Sequence, residues 1–234
     1  MKQVGIVLAI VLWVTSAAAQ VSNALYKEGV RLGNEGKVDE AVGKFQKAVA
    51  FEPGNFLYQL KLAYAYDMTS RLPEAHAAYE AALTLKSNSP EANRGLADVL
   101  RRLRFFVPAE KAYEKALSLK RNYEEALMGL GILYAEQDQL DKAAGAYLKV
   151  CKMNSKNVDA AFKAANVFWR EKKYPEAVEY YRKALTLKPD LHDARFGLGL
   201  ALKEKGDIEG AKVELRKACD AGVKQACKRL LQQM

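Results

Sequence analysis

Catalysis needs a nucleophile, a set of metal ligands or a charged cradle, and the residues able to supply these are few here. Two histidines and three cysteines stand among 234 residues. Neither His76 nor His192 belongs to a ligand constellation of the H-E-x-x-H or Cys/His kind, so both read as surface residues. Cys151 has no histidine near it in sequence to draw out a thiolate, and reads as a small apolar core residue. Gly33 to Lys37 holds glycines and a lysine without the spacing or hydroxyl of a phosphate loop, and no G-x-S-x-G occurs. The sequence therefore reads as non-catalytic, needing no cofactor and no metal.

One cationic cluster remains. Arg94, Arg101, Arg102 and Arg104 gather beside Phe105 and Phe106, and arginine next to rings can stack on bases and pair with phosphate. Acids are interleaved throughout, however, and the 37 basic residues are spread along the chain against 28 acidic ones. A solvated helix face is the better reading, and no nucleic-acid partner is expected. The net charge of +9 suits an acidic partner without naming one. With 50% apolar and 28% charged residues the chain can bury a core, which excludes a disordered or collagen-like chain.

The residues up to Gln20 form an address of their own. Lys2 precedes an apolar run from Val4 to Val14, and Ala17 and Ala19 give the small-residue pattern of a cleavage site. The reading is a signal peptide over 1–19 and an exported chain, periplasmic or secreted, with no stable membrane span after cleavage. An uncleaved anchor in the inner membrane is the alternative, because Val4 to Val21 is free of charge.

From Ser22 onward a pattern recurs every 34 residues. Its clearest column is Ala41, Ala75, Ala109, Ala143, Ala177 and Ala211. Four residues on stand Phe45, Tyr79, Tyr113, Tyr147, Tyr181 and Leu215, and three further stand Ala48, Ala82, Ala116, Val150, Ala184 and Ala218. Steps of four and three put these columns on one helix face. A second helix is marked by Gly29, Ala63, Ala97, Gly131, Ala165 and Gly199, each followed three residues later by a bulky side chain. Antiparallel helices approach closely only where side chains are small, and large ones fill the gaps between hairpins. Pro73, Pro108 and Pro175 follow the turns, where a first helical turn tolerates proline.

This pattern resembles the tetratricopeptide repeat, a 34-residue helical hairpin with small, aromatic and proline landmarks. The resemblance implies an all-α fold, a right-handed α-solenoid of six antiparallel hairpins at 22–55, 56–89, 90–123, 124–157, 158–191 and 192–225. A short capping helix is expected over 226–234, covering the apolar face that no seventh hairpin would bury. The last junction is shortened: Ala218 is followed by Ala226 after eight residues rather than ten, with Gly222 stopping one helix. This segment resembles the Sel-like repeat, which implies a Cys219–Cys227 disulfide in an oxidising compartment; two reduced, packed thiols are the alternative.

The family lines its inner groove with the first helix of each unit. The fifth place carries Tyr26, Leu60, Arg94, Met128, Phe162 and Phe196. The ninth adds Val30, Tyr64, Asp98, Ile132, Asn166 and Leu200. Trp169 extends this face, and Arg101 and Arg102 add positive charge. Large apolar side chains aimed at solvent mark interaction sites. Some relatives clamp a carboxylate tail with a lysine–asparagine pair, which Tyr26 and Val30 replace here. The expected function is a scaffold of the cell envelope or secretory compartment that holds a peptide or amphipathic helix of a protein partner, with self-association possible. The alternative is an accessory subunit that binds glycan or peptidoglycan and recruits an enzyme.

Overall fold

The computed structural model describes residues 2–231, with side chains from residue 18 onward. The leader, its cleavage site and the alternative anchor fall largely on residues 1–17, whose side chains lie outside the described part. Among the described residues no helix is long and apolar enough to cross a membrane.

The fold is all-α, and the chain forms two compact units, Met1–Arg121 and Asn122–Met234. The first unit holds α1 (Lys2–Asn34), α2 (Val38–Phe51), α3 (Phe56–Met68), α4 (Leu72–Leu85), α5 (Pro90–Arg102) and α6 (Phe106–Leu119). The second holds α7 (Glu124–Glu136), α8 (Leu140–Met153), α9 (Val158–Arg170), α10 (Tyr174–Leu187), α11 (His192–Lys205), α12 (Ile208–Asp220) and α13 (Lys224–Leu231). Within each unit consecutive helices pair as hairpins and each hairpin packs on the next, the packing of an α-solenoid.

One turn closes every hairpin. The residue at the fifteenth place is left-handed in all six: Gly36 and Gly206, and also Ser70, Arg104, Asp138 and Lys172, whose φ lies between 58° and 65°. The next N–H then reaches back five residues to a carbonyl, as from Lys37 to Leu32 at 2.9 Å and from Gln139 to Tyr134 at 2.8 Å. This backbone bond satisfies the end of the first helix, so the turn survives without glycine. Three of the first helices are instead started by side chains. Asn55, Ser89 and Asn157 accept from backbone N–H groups of α3, α5 and α9.

The small columns are where rings sit. A Cβ added to Gly29 would fall 2.7 Å from the Phe45 ring, and one on Gly131 would fall 2.4 Å from the Tyr147 ring, both within a hairpin. Gly95 and Gly197 receive Tyr79 and Tyr181 from the preceding hairpin, at 2.3 and 2.5 Å from an added Cβ. The ring column thus packs both inside a hairpin and on to the next, and the glycines of the second kind were not singled out by the repeat pattern.

The C-terminal end differs from expectation by two residues. Gly222, at φ 92°, ends α12 with the same left-handed turn, closed by Val223 N–H donating to the Ala218 carbonyl at 3.0 Å. That turn needs fewer residues than the other junctions, so α13 starts at Lys224 rather than at Ala226. A disulfide joins Cys219 to Cys227 across it, with Cα atoms 4.7 Å apart.

Candidate functional site

Fifth and ninth places lie four residues apart, so they form one stripe on each first helix. Second helices cover the opposite stripe. In the first unit α3 also touches α5, and in the second α9 touches α11, while second helices make no comparably extensive contact with one another. First helices therefore sit on the tighter side of each unit, with the stripe facing outward from it.

In the first unit Tyr26 and Leu60 serve the packing. The Tyr26 ring stacks on Tyr58 at 5.0 Å and tilts against Phe45 at 6.0 Å, and Leu60 rests on the same core. Burial and then the neighbouring Tyr58 raise the Tyr26 phenol above its ordinary pKa. Tyr64 is different, 48% exposed at the ninth place of α3, with Met68 one turn on at 57%. These two side chains, with Lys61 and with Val30 and Gly33 from α1, border a cavity of about 200 Å³.

The polar residues of the stripe are engaged by the fold. Arg94 pairs with Asp98 at 2.6 Å, and the Tyr113 hydroxyl donates to the same carboxylate. Burial, then the Asp98 charge, pushes the Tyr113 phenol well above its usual range, and Arg101 acts on it in the opposite direction. Arg102 reaches across to the preceding turn, donating to the Asp67 carboxylate, to its carbonyl at 3.3 Å and to Ser70 Oγ at 2.9 Å. Burial raises the Asp67 carboxyl, with Arg102 opposing.

In the second unit Met128, Ile132, Phe162 and Asn166 are half-buried. Phe162 tilts on Tyr181 at 6.2 Å, and the Tyr181 hydroxyl donates to Asn166 Oδ1 at 2.6 Å. Ile132 and Asn166 share a cavity of about 270 Å³ with Glu136, Lys163 and Arg170. Arg170 is held as Arg102 is: it donates to the Ala135 carbonyl at 3.1 Å and to Asp138 at 2.8 Å. Trp169, 39% exposed, lies at the end of α9 outside that lining. Phe196 and Leu200 border a third cavity, of about 420 Å³, with Gln225, Lys228 and Arg229 of α13.

The structure thus separates the expected residues into packing members and exposed ones, and adds residues the repeat columns did not mark. Lys61 and Lys163 occupy the sixth place, one step round the helix from the stripe. Among the described residues no cluster of His, Cys, Asp and Glu could hold a metal ion. Cys151 is buried, and burial raises its thiol pKa.

The chain matches models described as the tetratricopeptide repeat over residues 26–90, 60–118, 94–158 and 128–192, and again over 168–234. No curated protein matches it. Solved structures share its fold. YrrB, described as a TPR protein with an unusual peptide-binding site, is 22% identical with a TM-score of 0.68, over 79% of this chain and 96% of that one. Pseudomonas aeruginosa PilF is 15% identical with a TM-score of 0.77, over 93% of this chain and 100% of that one. PilW, a type IV pilus biogenesis factor, is 21% identical with a TM-score of 0.75, over 85% and 92%.

Proposed function

Since this chain belongs to the tetratricopeptide repeat family, we propose that it is a non-catalytic scaffold holding a peptide or amphipathic helix of a protein partner against its first helices. The observation that carries this is the outward stripe. Tyr64 and Met68 stand about half exposed beside a cavity, where the fold alone would favour polar side chains. The likeness to a peptide-binding repeat protein and to a pilus biogenesis factor supports a role in protein assembly.

Selection from a random peptide library on the immobilised chain tests the reading. Peptides recovered on it are expected to lose about 30-fold in affinity when Tyr64→Ala and Met68→Ala are combined, the loss typical of truncating interface anchors. Unchanged affinity would remove the first-helix stripe from consideration.

We further propose that the scaffold works after export. Ala17 and Ala19 before Gln20 support this, as does the Cys219–Cys227 disulfide, which persists in oxidising compartments. Mass spectrometry of the natively expressed protein should give a chain beginning at Gln20; a mass retaining the leader would favour the anchor.

A further inference from the structure

Repeats act as internal controls for one another. A side chain that departs from its equivalents at an outward place has a reason that the framework does not supply. Ala226 stands where Ala194 opens the preceding first helix, so α13 repeats the first half of such a helix. Leu230 then matches Leu198, and both pack inward. In that register Lys228 falls on the fifth place, the place of Phe196, and Arg229 follows it.

The only other cation at a fifth place is Arg94, which is paired with Asp98 four residues on. Four residues beyond Lys228 the sequence holds Gln232. Neither Lys228 nor Arg229 pairs with an acid among the described residues. The two cations border the cavity of about 420 Å³ whose apolar side is Phe196 and Leu200, and no carboxylate lines it. This cationic rim is fixed in place: Ala226 is fully buried, Leu230 packs on Leu215 and Ala218, and the Cys219–Cys227 bond ties α13 to α12.

We propose that this disulfide-tied end of the second unit docks an acidic peptide segment with a bulky apolar anchor. The anchor rests on Phe196 and Leu200, and its neighbouring carboxylates meet Lys228 and Arg229. The inference rests on the reading of first helices as a peptide site and specifies the chemistry of what that site takes. An apolar side next to paired cations fits a peptide carrying both features better than a bare phosphate, which would use the cations alone. Charge complementarity also disfavours a second copy of this basic end.

The probe is a fluorescent peptide of leucines interspersed with glutamates, compared by anisotropy with its glutamine analogue on the full mature chain. The acidic peptide is expected to bind about tenfold more tightly at low salt, with the preference fading as salt is added. Lys228→Glu with Arg229→Glu, two exposed positions that leave the core alone, should abolish the preference. Cys219→Ser with Cys227→Ser should weaken the acidic peptide by a similar factor while circular dichroism retains the helical signal. Equal binding of both peptides, or indifference to charge reversal, overturns the inference and leaves the peptide reading standing. Binding of neither peptide overturns the inference, and recovery of no peptide from the random library overturns the peptide reading with it. Displacement of the acidic peptide by phosphatidylglycerol vesicles at the same two cations would assign the end to an anionic membrane surface and overturn the peptide site.

Discussion

Replacing Tyr113 by alanine should cost about 3–5 kcal/mol, the largest loss expected of any single side chain here. The ring is fully buried on α6, so its removal leaves a cavity that the close-packed helices around it do not collapse to fill. The loss has a second part. The Tyr113 hydroxyl donates to Asp98, the partner of Arg94, and alanine leaves that carboxylate with one donor fewer in a half-buried place. Tyr113→Phe separates the two parts and should cost about 1–2 kcal/mol. Urea unfolding gives the comparison, with hydrogen exchange over 90–119 reporting the local effect, because repeat arrays need not unfold in one step. An alanine variant within 1 kcal/mol of the parent would show that the ring does not carry this hairpin.

Gly131→Val is expected to cost about 2–3 kcal/mol, although valine would ordinarily be at least as good as glycine within a helix. Even the first carbon of the new side chain would lie 2.4 Å from the Tyr147 ring, which is itself 2% exposed and has nowhere to retreat. Gly145, on the adjoining α8, is the control. A Cβ there meets nothing within 4 Å, so Gly145→Ala should stabilise by about 1 kcal/mol through helix propensity alone. Thermal midpoints moving in opposite directions would confirm that one glycine holds space for a ring and the other does not. Equal shifts would dissolve the distinction between them.

Those two glycines show how far the sequence could be read. Gly131 belongs to a column repeated six times, so its role against the large column was legible from period and size. Gly95 and Gly197 take rings from the preceding hairpin, yet their equivalents include Lys27, Lys61 and Lys163, and no column announces them. Turns were legible where glycine marked them, at Gly36 and Gly206. They were less so at Arg104 and Lys172, because a backbone hydrogen bond rather than a residue type fixes the left-handed conformation there. The stripe of fifth and ninth places was implied by the resemblance to the family, but the repeat pattern could not tell Tyr26, stacked on Tyr58, from Tyr64, open to solvent. Lys228 and Arg229 escaped because the shortened junction breaks the 34-residue register just before them.

The arginine contacts to neighbouring turns bear on how far the repeats are interchangeable. Arg102 and Arg170 occupy the same place in the third and fifth hairpins, and each grips the turn of the hairpin before it, through Asp67 and Ser70 in one case and through Ala135 and Asp138 in the other. The second and sixth hairpins have Met68 and Glu204 at that place and make no such grip. Six units of one shape are therefore not six copies of one part. A shuffled or trimmed array would keep its period and its small-to-large packing, yet set an arginine beside a turn, such as the one at Lys172, that offers it a backbone carbonyl and no side-chain acceptor. The order of the hairpins is written in these side chains, as the teeth of a key are cut to one sequence of pins.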